Sequence, residues 1–394
     1  MKNKKKYIKK DHKNFNIIML ALFSAGFSTF AILYCVQPIL PIFSKIFHLT
    51  PTHASLSLSV TTITMALGML FTGPISDYIG RKKIMISSLV TASLLTILCS
   101  FMNNWKHIIL IRSITGLSLS GVTAVAMSYL SEEIHPKLLA FAIGLYISGN
   151  SLGGFFGRFI TSFLSIYFCW KIALLIIGIL SFISTLIFII LLPPSNNFFP
   201  ISIHPVKLFV NGLNQCKDKI LSKLFFVGFI LMGCFITLFN YIGYRLISLP
   251  TFINHALLGS ISMVYLTGIY SSPKAGVLTE IYGRSKILVF SICLMITGLI
   301  ITQFNFLLTI IIGLMIFSAG FFSAHSVSSS WVGYHVKKYK GQATSLYLFF
   351  YYLGASIFGT LGGVFWYWYS WYGISIFILF MLIIGILIAK GIKK

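Results

Sequence analysis

Asp77 is one of only six acidic residues in a chain of 394, and it stands between two glycines and beside three cations in the stretch GPISDYIGRKK, residues 73–83. Glycine lets backbones approach closely, and Asp77 and Arg81, four apart, face each other if a helix end continues through them. The pattern returns: Gly73, Asp77, Gly80 and Arg81 recur as Gly276, Glu280, Gly283 and Arg284, each 203 residues later. A solvated loop carrying only topological charge has no use for the acid or for the repeat. The chemistry these residues offer is electrostatic: ion pairing, and a negative charge placed at a helix end. No convergent nucleophile, acid pair or metal-ligand cluster accompanies them, and no phosphate-binding loop is present. The sequence therefore predicts no enzyme, no cofactor and no metal site.

The elements that must hold these residues are set by composition. The chain is 57% hydrophobic and 9% charged, far from the roughly 25% charged residues of a soluble domain. In lipid each backbone N–H and C=O has to be bonded within its own segment, so about 20 mostly apolar residues cross as a helix. Twelve such spans are expected, near 17–41, 56–74, 84–102, 108–130, 139–165, 172–193, 224–247, 257–273, 287–306, 307–331, 342–365 and 373–389. The net charge of +24 is distributed by side: seven of the 30 Lys and Arg precede the first span, and seventeen lie after spans 2, 4, 6, 8 and 10 or in the C-terminal tail. By the positive-inside rule both termini are cytoplasmic, and the basic excess faces anionic head groups of the bilayer. Short loops offer no folded basic surface for nucleic acid. The first span has no small-residue cleavage pattern after it, so no cleaved signal peptide is expected. Of the six cysteines, Cys35, Cys99, Cys234 and Cys293 fall in spans, while Cys169 and Cys216 fall on opposite sides. No disulfide framework follows.

The repeat divides the chain. YISGNSLGG at 146–154 resembles YYLGASIFG at 351–359, and Trp170 matches Trp371. The expected organisation is a basic tail (1–15), a six-helix bundle (16–193), a linker (194–223) and a second six-helix bundle with a short basic tail (224–394). The linker either stays irregular or forms an amphipathic surface helix within 206–222. Internal repeats of this kind suit transporters that rock one bundle against the other.

The motifs resemble those of the major facilitator superfamily. GPISDYIGRKK is similar to its loop motif GxLaDrxGrkxxl, with Ile75 for the usual Leu and Tyr78 for the usual basic residue. LIRSITGLSLSG at 110–121 resembles its RxxxG motif through Arg112 and Gly116. SGNSLGG at 148–154 resembles the helix-5 motif of antiporters, with Asn150 where they have Pro, which weakens any implication of antiport. Gly149, Gly153 and Gly157, four apart, also suit close helix packing alone. Within the superfamily the chain looks most like the YnfM-type branch of bacterial inner-membrane transporters.

The resemblance implies an all-α membrane protein of twelve helices in two pseudo-symmetric bundles, and a conformational latch in which Asp77 sits near Gln342 and Glu280 near Leu139. It also implies a central cavity lined by helices 1, 4, 7 and 10, with Tyr34, Gln37, Arg112, Asn240, Tyr244 and His325 as candidates beside Asn150. Competing roles stand for several of them. Arg245 near a helix end snorkels, His325 is a neutral core histidine bonded to a serine, Arg112 bonds backbone carbonyls, and Tyr351 and Tyr352 pack. The acids Asp11, Asp77, Glu132, Glu133, Asp218 and Glu280 all fall at the cytoplasmic side, none in the bilayer centre. Proton coupling then runs through His325 or the helix-end acids, or transport is facilitated. If Arg112 faces the cavity, the site favours a substrate with a carboxylate over a cation; if not, a neutral solute fits. The expected function is secondary transport of a small molecule by a monomer in the inner membrane, with efflux one direction, and a ligand sensor of the same fold is the alternative. The charge count predicts that a reporter active only in the periplasm, fused near Asn211, is silent; strong activity there overturns the orientation.

Overall fold

Helices follow from the hydrocarbon constraint, and nearly all of the described residues are helical. The computed structural model describes residues 7–9, 13–195, 197, 215–248, 261–336 and 340–392, and within its helices the side chains of Asp77, Leu139 and Glu280 lie outside the description. The helices are α1 (Lys13–Tyr34), α2 (Leu40–Ile46), α3 (Pro51–Ile79), α4 (Arg81–Ser100), α5 (Trp105–Glu133), α6 (Pro136–Tyr167), α7 (Trp170–Leu191) and α8 (Lys219–Ile247). They continue with α9 (Thr267–Tyr282), α10 (Arg284–Ile301), α11 (Leu307–His335) and α12 (Lys340–Lys390). A 3₁₀ turn (Gln37–Ile39) precedes α2, and another (Ile261–Leu266) precedes α9. No strand forms among the described residues; the one bridge is parallel, between Ile8 and Ile134.

Local signals set the ends. Asn104 accepts from the Lys106 N–H at the start of α5, and Asp218 accepts from Ile220 and Leu221 N–H at the start of α8. Gly80 (φ 111°) and Gly283 (φ 86°) break α3 from α4 and α9 from α10 in a backbone region that other residues rarely adopt. α12 is two helices: Tyr369 and Ser370 leave helical geometry, dividing 340–368 from 371–390.

Among the described residues, nine stretches are long and apolar enough to cross a membrane, against twelve expected. The last of them, Gln342–Lys390, contains the break in α12 and so holds two helical passages. α6 has 32 residues. α9 has only 16, short of the roughly 20 that a span requires.

Two compact units emerge, residues 1–35 with 64–210, and residues 36–63 with 211–394. In the first, α6 lies directly on α1. A Cβ added at Gly149 would stand 2.5 Å from the Phe23 carbonyl oxygen, one at Gly157 2.7 Å from Ala31 Cα, and one at Gly153 would collide with the Phe27 carbonyl. Ser184 donates to Ser24 O (2.9 Å) and Thr64 to Ser113 O (2.7 Å), tying α7 to α1 and α3 to α5. The second unit repeats the helix-on-helix approach: a Cβ at Gly354 of α12 would strike the Phe229 carbonyl of α8.

In the second unit, residues 36–63 are held by side-chain bonds from α8 and α12. Gln37 Nε2 donates to Asn240 Oδ1 (2.7 Å), Ser44 and Tyr244 share a hydrogen bond (2.8 Å), and Ser356 donates to Ser59 O (2.8 Å). Gln37 and Asn240 are 203 residues apart, the same offset as the two glycine motifs.

The packing separates the glycines by role. Gly153→Leu forces α6 off α1 and should destabilise the folded protein by about 1–3 kcal/mol or more. Gly73→Ala, with no described atom within 4 Å of its Cβ, should leave thermal stability in detergent unchanged or slightly raised. Equal losses from both substitutions would contradict the α1–α6 contact.

Candidate functional site

The polar groups inside the spans arrange themselves separately in each unit. In the first unit, Arg112 of α5 is 2% exposed. Its Nη1 donates to Ile32 O (3.0 Å) and its Nη2 to Leu33 O (2.9 Å). These carbonyls belong to the last turn of α1, and in a continuing helix they would accept from Val36 and Gln37 N–H. Because α1 stops at Tyr34, with Pro38 in the turn that follows, the carbonyls are left for the guanidinium, and the negative end of the helix dipole faces the cation. Of the roles open for Arg112, the geometry realises the bonding of backbone carbonyls.

Arg158 of α6 behaves differently. Its Nη1 donates to Gly154 O (2.6 Å), one turn back on the same helix, and its guanidinium carbon lies 4.0 Å from the centre of the Tyr34 ring. Asn150 meets α1 at Gly26, where an added Cβ would collide with Asn150 Oδ1.

The second unit holds Gln37, Asn240 and Tyr244 in the bonds described above. Arg245, 6% exposed, does not reach solvent as a snorkelling side chain would. Its Nη2 lies within hydrogen-bond reach of Gln303 O (3.0 Å), Phe304 O (3.3 Å) and Asn305 Oδ1 (3.3 Å), where the chain leaves α10. Its guanidinium also stands 5.1 Å from the Trp371 ring. Trp170, the repeat partner of Trp371, has Lys171 over its ring in the same way. His325 Nδ1 shares a hydrogen bond with the Tyr347 hydroxyl (2.9 Å), not with a serine, and its ring lies 4.6 Å from that of Tyr351.

At the α3–α4 end, Arg81 is paired with Glu132. Its Nη2 and Nε donate to the two carboxylate oxygens of Glu132 (2.8 and 3.3 Å), and Nη1 to Ser76 Oγ (2.5 Å). Arg284, its repeat partner, instead stacks on Tyr334 at 3.8 Å. Gly80 and Gly283 serve the left-handed turn, whereas Gly73 and Gly276 have no described atom near their missing Cβ. The expected placing of Asp77 near Gln342 and of Glu280 near Leu139 lies outside the described residues.

Sequence reasoning missed Glu133. The residue is 1% exposed, its carboxylate accepts from Ser195 Oγ and Asn197 N–H (both 2.8 Å), and Ile8 N–H donates to its carbonyl (2.8 Å). Nothing in its neighbours marked it, since its partners come from segments on either side of the bundle in sequence. Tyr347 and Ser44 were equally silent, being ordinary polar residues in apolar runs. Among the described residues no group of three His, Cys, Asp or Glu could hold a metal.

Comparison with known proteins adds a family. The family model described as Major Facilitator Superfamily matches residues 22–271. An "Uncharacterized transporter BU588" of Buchnera aphidicola from Acyrthosiphon pisum is 57% identical, over 100% of this chain and 97% of its own. "Inner membrane transport protein YnfM" of Escherichia coli is 53% identical, over 98% of this chain and 94% of its own. A shorter match, 30% identical over 36% of this chain and 31% of the other, is to the "Benzoate transport protein" of Acinetobacter baylyi. Among solved structures, the nucleoside transporter NupG superposes with a TM-score of 0.74 at 12% identity, over 96% of this chain and 100% of its own, which is a likeness of fold.

The geometry gives Arg112 a structural role that can be measured without any ligand. Arg112→Gln should lower the melting temperature of the ligand-free protein, because one amide cannot serve both α1 carbonyls and their loss costs about 1–3 kcal/mol. An unchanged melting temperature would count against the helix-end contact.

Proposed function

Because this chain belongs to the major facilitator superfamily, we propose that it is a secondary transporter carrying a small solute across the bacterial inner membrane by alternating access. In this reading it works as a monomer of two six-helix bundles, with both termini cytoplasmic, its basic excess against anionic lipid, and export as the direction to test first. The observation that carries the reading is the attachment of residues 36–63. The repeat assigns this segment to the first half of the chain, yet Gln37, Ser44 and Ser59 bond to Asn240, Tyr244 and Ser356 in the second unit. A carrier has to break and remake contacts of this kind in every cycle. Each is a neutral hydrogen bond, with a net worth of about 0.5–1.5 kcal/mol, small enough for substrate binding to offset.

The substrate class we favour is a small organic anion. The chain carries 30 cations against six acids, the acids lie away from the middle of the spans, and the partial match to a benzoate transport protein points the same way. Asp77 and Glu280, with Gly73, Gly80, Arg81, Gly276, Gly283 and Arg284, form the latch, each acid stabilising the positive end of a helix in one state of the cycle.

Reconstitution tests both parts. The purified chain in sealed vesicles should move solute down a gradient, which a ligand sensor of the same fold would not do. Asp77→Asn should reduce that flux severalfold while insertion stays intact; wild-type flux at normal expression would reduce the stretch to a connecting loop.

A further inference from the structure

Arg284 opens α10 directly after the positive-φ turn at Gly283, as Arg81 opens α4 after Gly80. The two arginines are equivalent in the repeat, and Glu132 occupies the Nε and Nη2 edge of the first. Among the described residues no acid does this for the second. Arg284 is half-buried, its guanidinium lies 3.8 Å from the centre of the Tyr334 ring, and its Nε is buried with no hydrogen-bond partner. A cation–π contact uses the flat face of a guanidinium and none of its N–H groups, which point outward in the plane. Among the described residues no carboxylate or carbonyl meets Nη1 or Nη2 either, and both stay open to the surroundings.

Those surroundings select what comes to the fork. The turn is roomy, since a Cβ added at Gly283 or Gly276 meets no described atom within 4 Å. Cations outnumber acids about it. Lys286 is exposed two residues on, and Lys337, Lys338 and Lys340 follow Tyr334 in sequence. The acids nearby are Glu280 on α9 and Asp218, which is already taken by His335 and by the N–H groups that open α8. The positive end of the α10 dipole adds to the field. Yet the helix that leads into the turn is apolar and uncovered: Val277 and Ile281, one turn apart on α9, are exposed, as are Tyr282 and Tyr334. A soluble anion has no use for that stripe, whereas an amphiphile with an anionic head and a hydrocarbon tail uses both parts.

The geometry points to a binding site for the phosphate of an anionic phospholipid at Arg284. Nη1 and Nη2 take two phosphate oxygens end-on, the Tyr334 ring holds the plane of the guanidinium, and an acyl chain lies along Val277 and Ile281. Under the orientation proposed above the site belongs to the inner leaflet, whose anionic head groups attract basic segments in general. It differs from that diffuse attraction in being a single site and in being confined to the second half of the chain, because Arg81 spends its fork on Glu132.

The test uses the full chain purified in an uncharged detergent, with dioleoyl phosphatidylglycerol, dioleoyl phosphatidylcholine and inorganic phosphate as probes. Retained lipid is counted by native mass spectrometry, and affinity is read from the melting temperature against added lipid. Phosphatidylglycerol should raise the melting temperature and stay bound, and phosphatidylcholine should bind about tenfold more weakly or not at all. Arg284→Gln should weaken phosphatidylglycerol by about tenfold or more for the loss of two charge-assisted bonds. Arg284→Lys, which keeps the charge and loses the fork, should weaken it less. Tyr334→Leu, a change at an exposed side chain, should weaken it severalfold by freeing the guanidinium. Lys83→Gln removes an equally exposed cation from the equivalent turn of the first unit and should leave the affinity unchanged. Unchanged affinity in Arg284→Gln, or in Tyr334→Leu where the Arg284 variants do not fold, overturns the site, and so do equal losses from Arg284→Gln and Lys83→Gln. Stabilisation by inorganic phosphate that phosphatidylglycerol does not exceed makes the source a soluble anion and overturns the lipid assignment.

Discussion

A guanidinium inside hydrocarbon must find its negative partner within the protein, and in this chain Arg112 and Arg245 find theirs in backbone carbonyls at helix ends. On insertion scales an arginine at mid-membrane costs about 2.5–3.5 kcal/mol, while a hydrogen bond to a charged group returns about 1.5–3 kcal/mol. Two carbonyls at the negative end of a helix dipole are therefore enough. Arg112 takes them from the last turn of α1 and Arg245 takes them where α10 gives way to its loop. The consequence runs backwards into the fold. α1 has to end at Tyr34 for its carbonyls to be open, and only because it ends there can the chain turn through Pro38 and set Gln37 beside Asn240.

The repeat preserves backbone more faithfully than side-chain chemistry. Gly80 and Gly283 hold the same positive φ, and Gly149 and Gly354 bring α6 onto α1 and α12 onto α8 by the same loss of a Cβ. Yet the arginines that follow the two turns are met differently, Arg81 by the Glu132 carboxylate and Arg284 by the Tyr334 ring. Backbone approach has few solutions, because a helix pair at glycine distance tolerates no side chain. A cation near a helix end has many, since carboxylate, carbonyl and aromatic face all offer negative potential.

That difference also explains what was legible in the sequence. The glycine rows and the helical class could be read directly, because spacing and hydropathy are properties of the chain itself. The resemblance to the superfamily rested on the same motifs. What the individual polar residues do was not legible. Arg112 has the same type and setting whether it faces a solute or two carbonyls, and the choice depends on where α1 stops. His325 paired with Tyr347, 22 residues on, where a nearer serine was the obvious guess. Glu133 is fully buried, yet its burial comes from Ile8 and residues 195–197, at sequence distances no local pattern records. Gln37 and Asn240 stand at the repeat offset, and their juxtaposition could have been suspected from it, but an offset says that two positions are equivalent and not that they touch.

The neutrality of the bonds that hold residues 36–63 follows from the same constraint that governs the arginines. In the proposed cycle, breaking a buried ion pair would leave two uncompensated charges, at about 3–5 kcal/mol for the loss of one partner. An amide pair such as Gln37 and Asn240, or a hydroxyl pair such as Ser44 and Tyr244, is exchangeable for water or for solute at about 1 kcal/mol. Three of them together amount to a few kcal/mol, the range in which two conformations stay interconvertible and a ligand with modest differential affinity decides between them. The charged contacts of Arg112 with the end of α1 and of Arg81 with Glu132 lie in the first unit, and the neutral bonds of residues 36–63 lie in the second. Under the alternating access proposed above, neutral bonds are the ones that rigid helices can release without exposing an unpaired charge to lipid.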